Sequence, residues 1–174
     1  MLRTLNLGPG HEPRDGAVHV DWRPGGGVGV VADARRLPFP DGVFLEIHVA
    51  SVLEHFADPY AGLDEIHRVL RSTGRVEIRV PSPWSVWGQI DRSHAFLADL
   101  RLWRDVLGGY FDHVKVTSRG ARYRDSALLR GITRLLIVVL GWHELAEEWR
   151  FECRDKLTLP QRKYVPWWLE NRTP

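Results

Sequence analysis

Short apolar runs separated by turn residues organise the first half of the chain. Leu2 to Leu7 predicts a buried strand, Val18 to Asp21 a second, Val28 to Ala32 a third and Phe44 to Ala50 a fourth. Between Ser51 and Leu70 the apolar positions Val52, Phe56, Leu63, Ile66, Val69 and Leu70 recur at helical spacing. Asp58-Pro59 starts the longer second piece of that helix and Gly74 ends it. Arg75 to Val80 alternates as a fifth strand, stopped by Pro81-Ser-Pro-Trp84. Phe96, Leu97, Leu100, Trp103 and Leu107 predict another helix, with Gly108-Gly109 as its stop. Val114 to Val116 and Trp149 to Cys153 read as the last two strands. The residues between them, from Ser118 to Glu147, read as a helical insertion that holds the apolar run Leu128 to Trp142.

Strands that alternate with helices imply an α/β fold: a Rossmann-like, doubly wound, mainly parallel sheet. The final strand pair, joined without a full crossover, implies an antiparallel edge strand. Residues His11 to Ala17 contain Pro13 and Gly16 and are too few for the usual helical crossover, so the first crossover is abbreviated. The length of 174 residues fits a single domain over 1–174, with a cofactor-binding half over 1–80 and an acceptor-binding half over 81–174.

Composition narrows the classes of function. A formal charge of +2 gives no large positive field, which argues against a nucleic-acid partner. The one local concentration of charge is Arg119, Arg122, Arg124 and Arg130, either a solvated face or a contact for an anionic substrate or membrane surface. Cys153 is alone, so no intrachain disulfide forms, and a reducing, cytoplasmic location is expected; the amino terminus shows no signal peptide. The Leu128 to Trp142 run would span roughly 22 Å as a helix, against a hydrocarbon core of roughly 30 Å, and is broken by Arg130 and Arg134. No transmembrane segment is expected from it.

Candidate chemistry gathers at the carboxyl ends of the predicted strands, where open α/β sheets bind their ligands. After the first strand comes Asn6-Leu7-Gly8-Pro9-Gly10, in which two glycines allow a tight turn and a close backbone approach. After the second comes Asp21, placed to accept from a ribose diol, with Trp22 beside it as a stacking surface for a purine. After the third comes Ala32-Asp33-Ala34, with a carboxylate for an exocyclic amine. A dinucleotide fingerprint would need a third glycine, a helix N-terminus for the pyrophosphate and an acidic residue about 20 positions on. Pro13 occupies the glycine position and Asp21 follows Gly10 too soon, so a nicotinamide oxidoreductase is disfavoured against a ligand without phosphate.

Taken in order, Leu5-Asn-Leu-Gly-Pro-Gly10, Val18-His-Val-Asp21, Val31-Ala-Asp33, Leu37-Pro-Phe-Pro-Asp41 and Val52-Leu-Glu-His55 resemble the class I S-adenosylmethionine-dependent methyltransferases, in their short type-11-like branch. The resemblance covers roughly residues 2 to 116. It implies that Asn6, Gly8, Pro9 and Gly10 border the methionine part of S-adenosylmethionine, and that Asp21 binds its ribose. It also implies that Trp22 lies beside the adenine, that Asp33 and Ala34 read the adenine edge, and that the segment starting at Ser51 passes under the sulfonium. Three positions depart from the family pattern: Asn6 replaces an acidic residue, Glu12 a glycine and Leu45 an aspartate.

Methyl transfer needs an oriented acceptor and, for a hydroxyl, a base within hydrogen-bond reach. His55, Asp91 and His94 are the catalytic candidates, histidine having an unperturbed pKa of about 6.5. By the same resemblance, Trp84 and Trp87 line the acceptor pocket. No two histidines have the helical spacing of a metal pair, so no metal is expected. The expected activity is methyl transfer to an oxygen, less readily a nitrogen, of a small molecule or carbohydrate. The alternative is a non-catalytic cofactor-binding or partner protein. The insertion over 118–147 reads as a lid, a homodimer surface or a membrane-surface helix.

Overall fold

The computed structural model describes residues 4–10, 12–25, 27–119 and 148–162, together with positions 132, 135, 136 and 139. The greater part of the predicted helical insertion, with Trp142 and the arginines at 122, 124 and 130, lies outside the described residues, as do Trp167 and Trp168.

Seven strands form one sheet: β1 (Thr4–Leu7), β2 (Val18–Asp21), β3 (Val30–Val31), β4 (Phe44–Ala50), β5 (Leu70–Pro81), β6 (Phe111–Arg119) and β7 (Glu148–Lys156), in the spatial order β3-β2-β1-β4-β5-β7-β6. The first five run parallel, with Leu5 opposite both Val18 and Ile47 and Val49 opposite Ile78. β7 is antiparallel to β5 and to β6, so the antiparallel strands sit at the expected edge. Helix α1 (Pro59–Val69) links β4 to β5, and α2 (Val86–Ile90) and α3 (Leu100–Leu107) link β5 to β6.

Local chemistry sets these boundaries. Asp58 caps α1 by accepting from the Tyr60 amide at 2.9 Å, and Pro59 occupies the first helical turn, where its missing N–H is harmless. Gly74 does not end this helix. The chain turns extended at Leu70, and Gly74 lies inside β5, where an added Cβ would meet Leu70 Cδ1 at 2.6 Å and Leu45 O at 3.0 Å. The strand register also shifts there, from Phe44 opposite Leu70 to Glu46 opposite Arg75. Gly74 therefore permits a close strand approach at an irregularity. The α3 helix starts at Leu100 rather than Phe96, because Asp99 caps it through the Leu102 amide while the Ala95 and Phe96 amides donate to Glu54 O.

The two faces of the sheet differ. One face carries Leu5, Leu7, Val20, Ile47, Val49, Val76, Ile78, Val80, Trp149, Phe151 and Cys153, all buried with Leu63 and Ile66 of α1 and Trp103 and Val106 of α3. This is the core. Alternation places the intervening residues Asn6, His19, Glu46, His48, Glu77, Arg79, Arg150 and Glu152 on the opposite face, where Asn6, His48 and Arg79 are buried. The crossovers β1 to β2, β2 to β3 and β3 to β4 contain turns and no helix among the described residues. Over the described residues this face of the sheet is lined by charged and polar side chains.

Those charges are paired. Glu77 lies 3.2 Å from Arg14, 3.8 Å from His48 and Arg150, and 3.9 Å from Arg79. The His48 ring 3.8 Å away and the arginines around it hold the Glu77 carboxyl down at about 2 against the opposing effect of burial. Among the described residues no helix is long and apolar enough to cross a membrane.

Candidate cofactor and acceptor site

The glycine turn after β1 is built tightly. Gly8 has φ of +69°, and a Cβ there would stand 2.4 Å from Val52 Cγ2 and 2.9 Å from Ala50 O, so only glycine lets the turn lie against the end of β4. The Gly8 amide donates to Val20 O at 2.9 Å, and the buried Pro9 accepts from the Glu12 amide at 2.8 Å. Gly10, at φ +48°, faces open space, with no atom within 4 Å of where a Cβ would be.

Asn6 is almost fully buried, and its side-chain amide donates to Glu12 O at 3.2 Å. Glu12 in turn reaches Arg79 at 2.7 Å. Two of the three residues that depart from the family pattern, Asn6 and Glu12, therefore secure the loop to the sheet, and Asn6 brings no charge to the site.

At the end of β2, Asp21 takes the Arg23 amide on Oδ1 at 3.0 Å. Trp22 is 68% exposed, with the Arg23 guanidinium 4.0 Å from its ring centroid, leaving a broad aromatic surface beside that carboxylate. Beyond β3, Asp33 is engaged by Arg35 through the backbone amide and the guanidinium, with a shortest contact of 2.7 Å that holds the carboxyl below its usual range. An adenine amine would have to share this carboxylate with Arg35. Ala34 is buried in the core, which positions the backbone of the turn and not its side chain. At the end of β4, Ser51 is exposed, has φ of +52° and donates its amide to Arg79 O at 3.0 Å. A non-glycine residue in the left-handed region marks local strain at this strand end.

His55, Asp91 and His94, separated by up to 39 positions in sequence, come together just beyond Ser51. The His55 and His94 rings stand 5.0 Å apart. Ser93 bridges them to Asp91: its hydroxyl lies 3.0 Å from His55 Nδ1 and donates to Asp91 Oδ1. Its hydroxyl and amide hold the Asp91 carboxyl below the usual range. His94 Nε2 is 3.7 Å from Asp91 Oδ2, and its Nδ1 is 3.3 Å from Gly88 O. Trp84 is 52% exposed nearby in sequence, with exposed Ile90 and Leu97 flanking the histidine loop. Trp87 lies on α2, and its side chain is outside the described residues.

Glu54 was not singled out by sequence reasoning, although it lies in the quoted run ending at His55. It is 1% exposed, and among the described residues neither carboxylate oxygen has a hydrogen-bond partner. Burial pushes this carboxyl up to about 8, offset only in part by the adjacent backbone and Ser51. One ligating atom each from Glu54, His55 and His94 lies within 4.8 Å of the others.

The residues present fit S-adenosylmethionine. Gly8 and the open space at Gly10 allow close approach, Asp21 and the exposed Trp22 suit a ribose and a purine, and among the described residues no helix starts at the glycine turn to hold a pyrophosphate. Comparisons agree with the geometry. Residues 10–78 match the sequence model of a methyltransferase domain. A demethylmenaquinone methyltransferase of Thermus thermophilus is 40% identical over 63 residues, 35% of this chain and 29% of that protein, so the match spans under a third of the relative. An S-adenosylmethionine-dependent methyltransferase from Archaeoglobus fulgidus has the same fold, with a TM-score of 0.59, 17% identity and coverage of 88% of this chain and 86% of that one. A Thermotoga maritima protein described as a possible histamine N-methyltransferase gives a TM-score of 0.62 at 15% identity, over 88% and 82% of the two chains.

Over residues 10–78 the chain is similar to methyltransferase domains, and its fold is that of solved S-adenosylmethionine-dependent methyltransferases. S-adenosylmethionine is the cofactor that these similarities support. Among the described residues the early crossovers are turns.

Proposed function

We propose that this domain transfers the methyl group of S-adenosylmethionine to an oxygen of a small molecule, a sugar being one suitable acceptor. The observation that carries this reading is the convergence of His55, Asp91, His94 and Glu54 beside Ser51 and the glycine turn, where the cofactor's sulfonium would face an acceptor. When bound, the cofactor supplies a methyl group activated for in-line displacement. Gly8, Pro9 and Gly10 give its amino-acid end room, Asp21 accepts from its ribose, and Trp22 and Asp33 flank its adenine. The histidine pair orients the acceptor hydroxyl and takes its proton, and the Ser93–Asp91 hydrogen bond fixes His55 in the Nδ1–H form. Trp84 offers an apolar face to the acceptor body. Methyl transfer to nitrogen is the less favoured variant, and a reducing, cytoplasmic setting suits the buried thiol of Cys153.

Calorimetric titration with S-adenosylmethionine and its demethylated product tests the cofactor assignment, with NADH and Asp21→Ala as controls. Saturable binding of the first two, weakened in the variant and absent for NADH, is the expected result. Failure of folded protein to bind either ligand would favour the non-catalytic reading, for which the buried Asn6, uncharged and tied to its own loop, is the specific support.

A further inference from the structure

Glu54 is a carboxylate enclosed by protein, with no hydrogen-bond partner among the described residues. Burying such a group costs several kcal/mol, in order of magnitude, unless something compensates it. Two imidazoles face it from different segments: His55 is its chain neighbour, and His94 arrives on the loop that Glu54 O fastens by accepting the Ala95 and Phe96 amides at 2.8 and 2.9 Å. Both rings are oriented through Nδ1. The Ser93 hydroxyl donates to Asp91 and so receives the His55 Nδ1 proton, while Gly88 O receives that of His94. Nε2 is then the lone-pair nitrogen of each ring. Metal-binding histidines are typically held in this way, with the second nitrogen donating to a carbonyl or to a group backed by a carboxylate.

We propose that Glu54, His55 and His94 form a binding site for a divalent first-row metal ion of the zinc class, with Asp91, through Ser93, as the outer carboxylate behind His55 and Gly88 O behind His94. Two imidazoles and one carboxylate are a known zinc ligand set that leaves a fourth position for water or a substrate oxygen. The ligating atoms lie within 4.8 Å of one another, so an ion with bonds of about 2.0–2.2 Å requires them to close in by roughly 1 Å, a rotamer adjustment for the half-exposed His55. The site is invisible to a search for helically spaced histidines because its members meet through the loop 91–96. The metal site stands without the proposed methyl transfer. Its further role, holding an acceptor oxygen at the open position, rests on that reading and replaces the proton-accepting role of the histidines, whose Nε2 lone pairs the metal takes.

The test is calorimetric titration of chelator-treated protein with zinc chloride, then with cobalt chloride followed by visible absorption. We expect one zinc ion per chain, a cobalt spectrum typical of a low-coordinate nitrogen and oxygen site, and at least a tenfold loss of affinity in each of Glu54→Gln, His55→Ala and His94→Ala. Circular dichroism separates lost ligation from lost fold, and Glu54→Gln keeps the side chain's shape. No zinc binding by folded wild type, or unchanged affinity in all three folded variants, overturns the site. The same preparations are titrated with S-adenosylmethionine. Cofactor binding without zinc binding sinks the metal site alone, and zinc binding without cofactor binding sinks the methyltransferase reading alone.

Discussion

Glu77 and Glu54 are two enclosed carboxylates with opposite surroundings. Glu77 stands on the charged face of the sheet among Arg14, His48, Arg79 and Arg150, and its carboxyl is held down at about 2. Glu54 stands beyond the end of β4 with neither oxygen hydrogen-bonded among the described residues, and burial raises it to about 8. A buried charge that is surrounded by donors supports the fold, and here it binds strands β4, β5 and β7 across a face that carries no described helix. A buried acid that its surroundings compensate only in part works against the fold when charged. The difference separates a structural network from a candidate reaction centre in one small sheet.

Replacing groups on each side sharpens the contrast, starting with the largest effect. His94→Asn should lower turnover on an identified acceptor by about 100-fold or more, the range for losing a base, while its denaturation midpoint stays close to that of wild type. Parallel activity assays and urea unfolding check this, and equal losses in both would place His94 with the structural group. Glu77→Gln should destabilise the protein by about 3 kcal/mol at pH 7, from a displacement of about 2.5 pH units. The sign follows from linkage: a lowered folded-state value gives stability that is full above about 4.5 and is lost as pH falls toward 2. Wild type should therefore lose stability steeply over that window and Glu77→Gln much less, as unfolding curves at several pH values would show.

Glu54→Gln should act in the other direction. A raised folded-state value means stability that is full below about 4.5 and declines as pH rises toward about 8, so at pH 7 the metal-free variant should gain up to about 3 kcal/mol over metal-free wild type. A destabilised, folded Glu54→Gln chain would show that the carboxylate has a partner after all. The smallest effect is expected from Arg150→Met. Its guanidinium is about a third exposed and 3.8 Å from Glu77, so the change should cost no more than about 1 kcal/mol and should shrink further in high salt.

Much of this molecule is legible along the chain, and the misses have identifiable causes. Val18–Asp21 and Phe44–Ala50 fall where the pattern predicts because turn residues and charges bracket them closely. Phe96 to Asp99 has helical spacing yet is not helical, since the Ala95 and Phe96 amides are taken by Glu54 O, a contact between residues about 40 positions apart. Gly74 resembles a helix stop and serves instead at a close strand approach beside Leu45, which local sequence does not reveal. The catalytic candidates His55, Asp91 and His94 were recognisable as residue types, whereas Glu54 was not: its importance comes from what surrounds it.

Alternating apolar and polar residues, with the turn residues between them, are enough to place most of the strands, the glycine turn and the acidic strand ends, because strand periodicity and turn chemistry act over a few residues. The same alternation in Arg75 to Val80 held a further message. A strand covered by apolar side chains on both faces reads as continuously apolar, and this one does not, because its Glu77 and Arg79 side is an ion-paired network. Folding in three dimensions settled the remainder: which charges cancel, which carboxylate is left without donors, and which histidines meet. Electrostatic energies depend on distance and burial, and segments far apart in sequence set both.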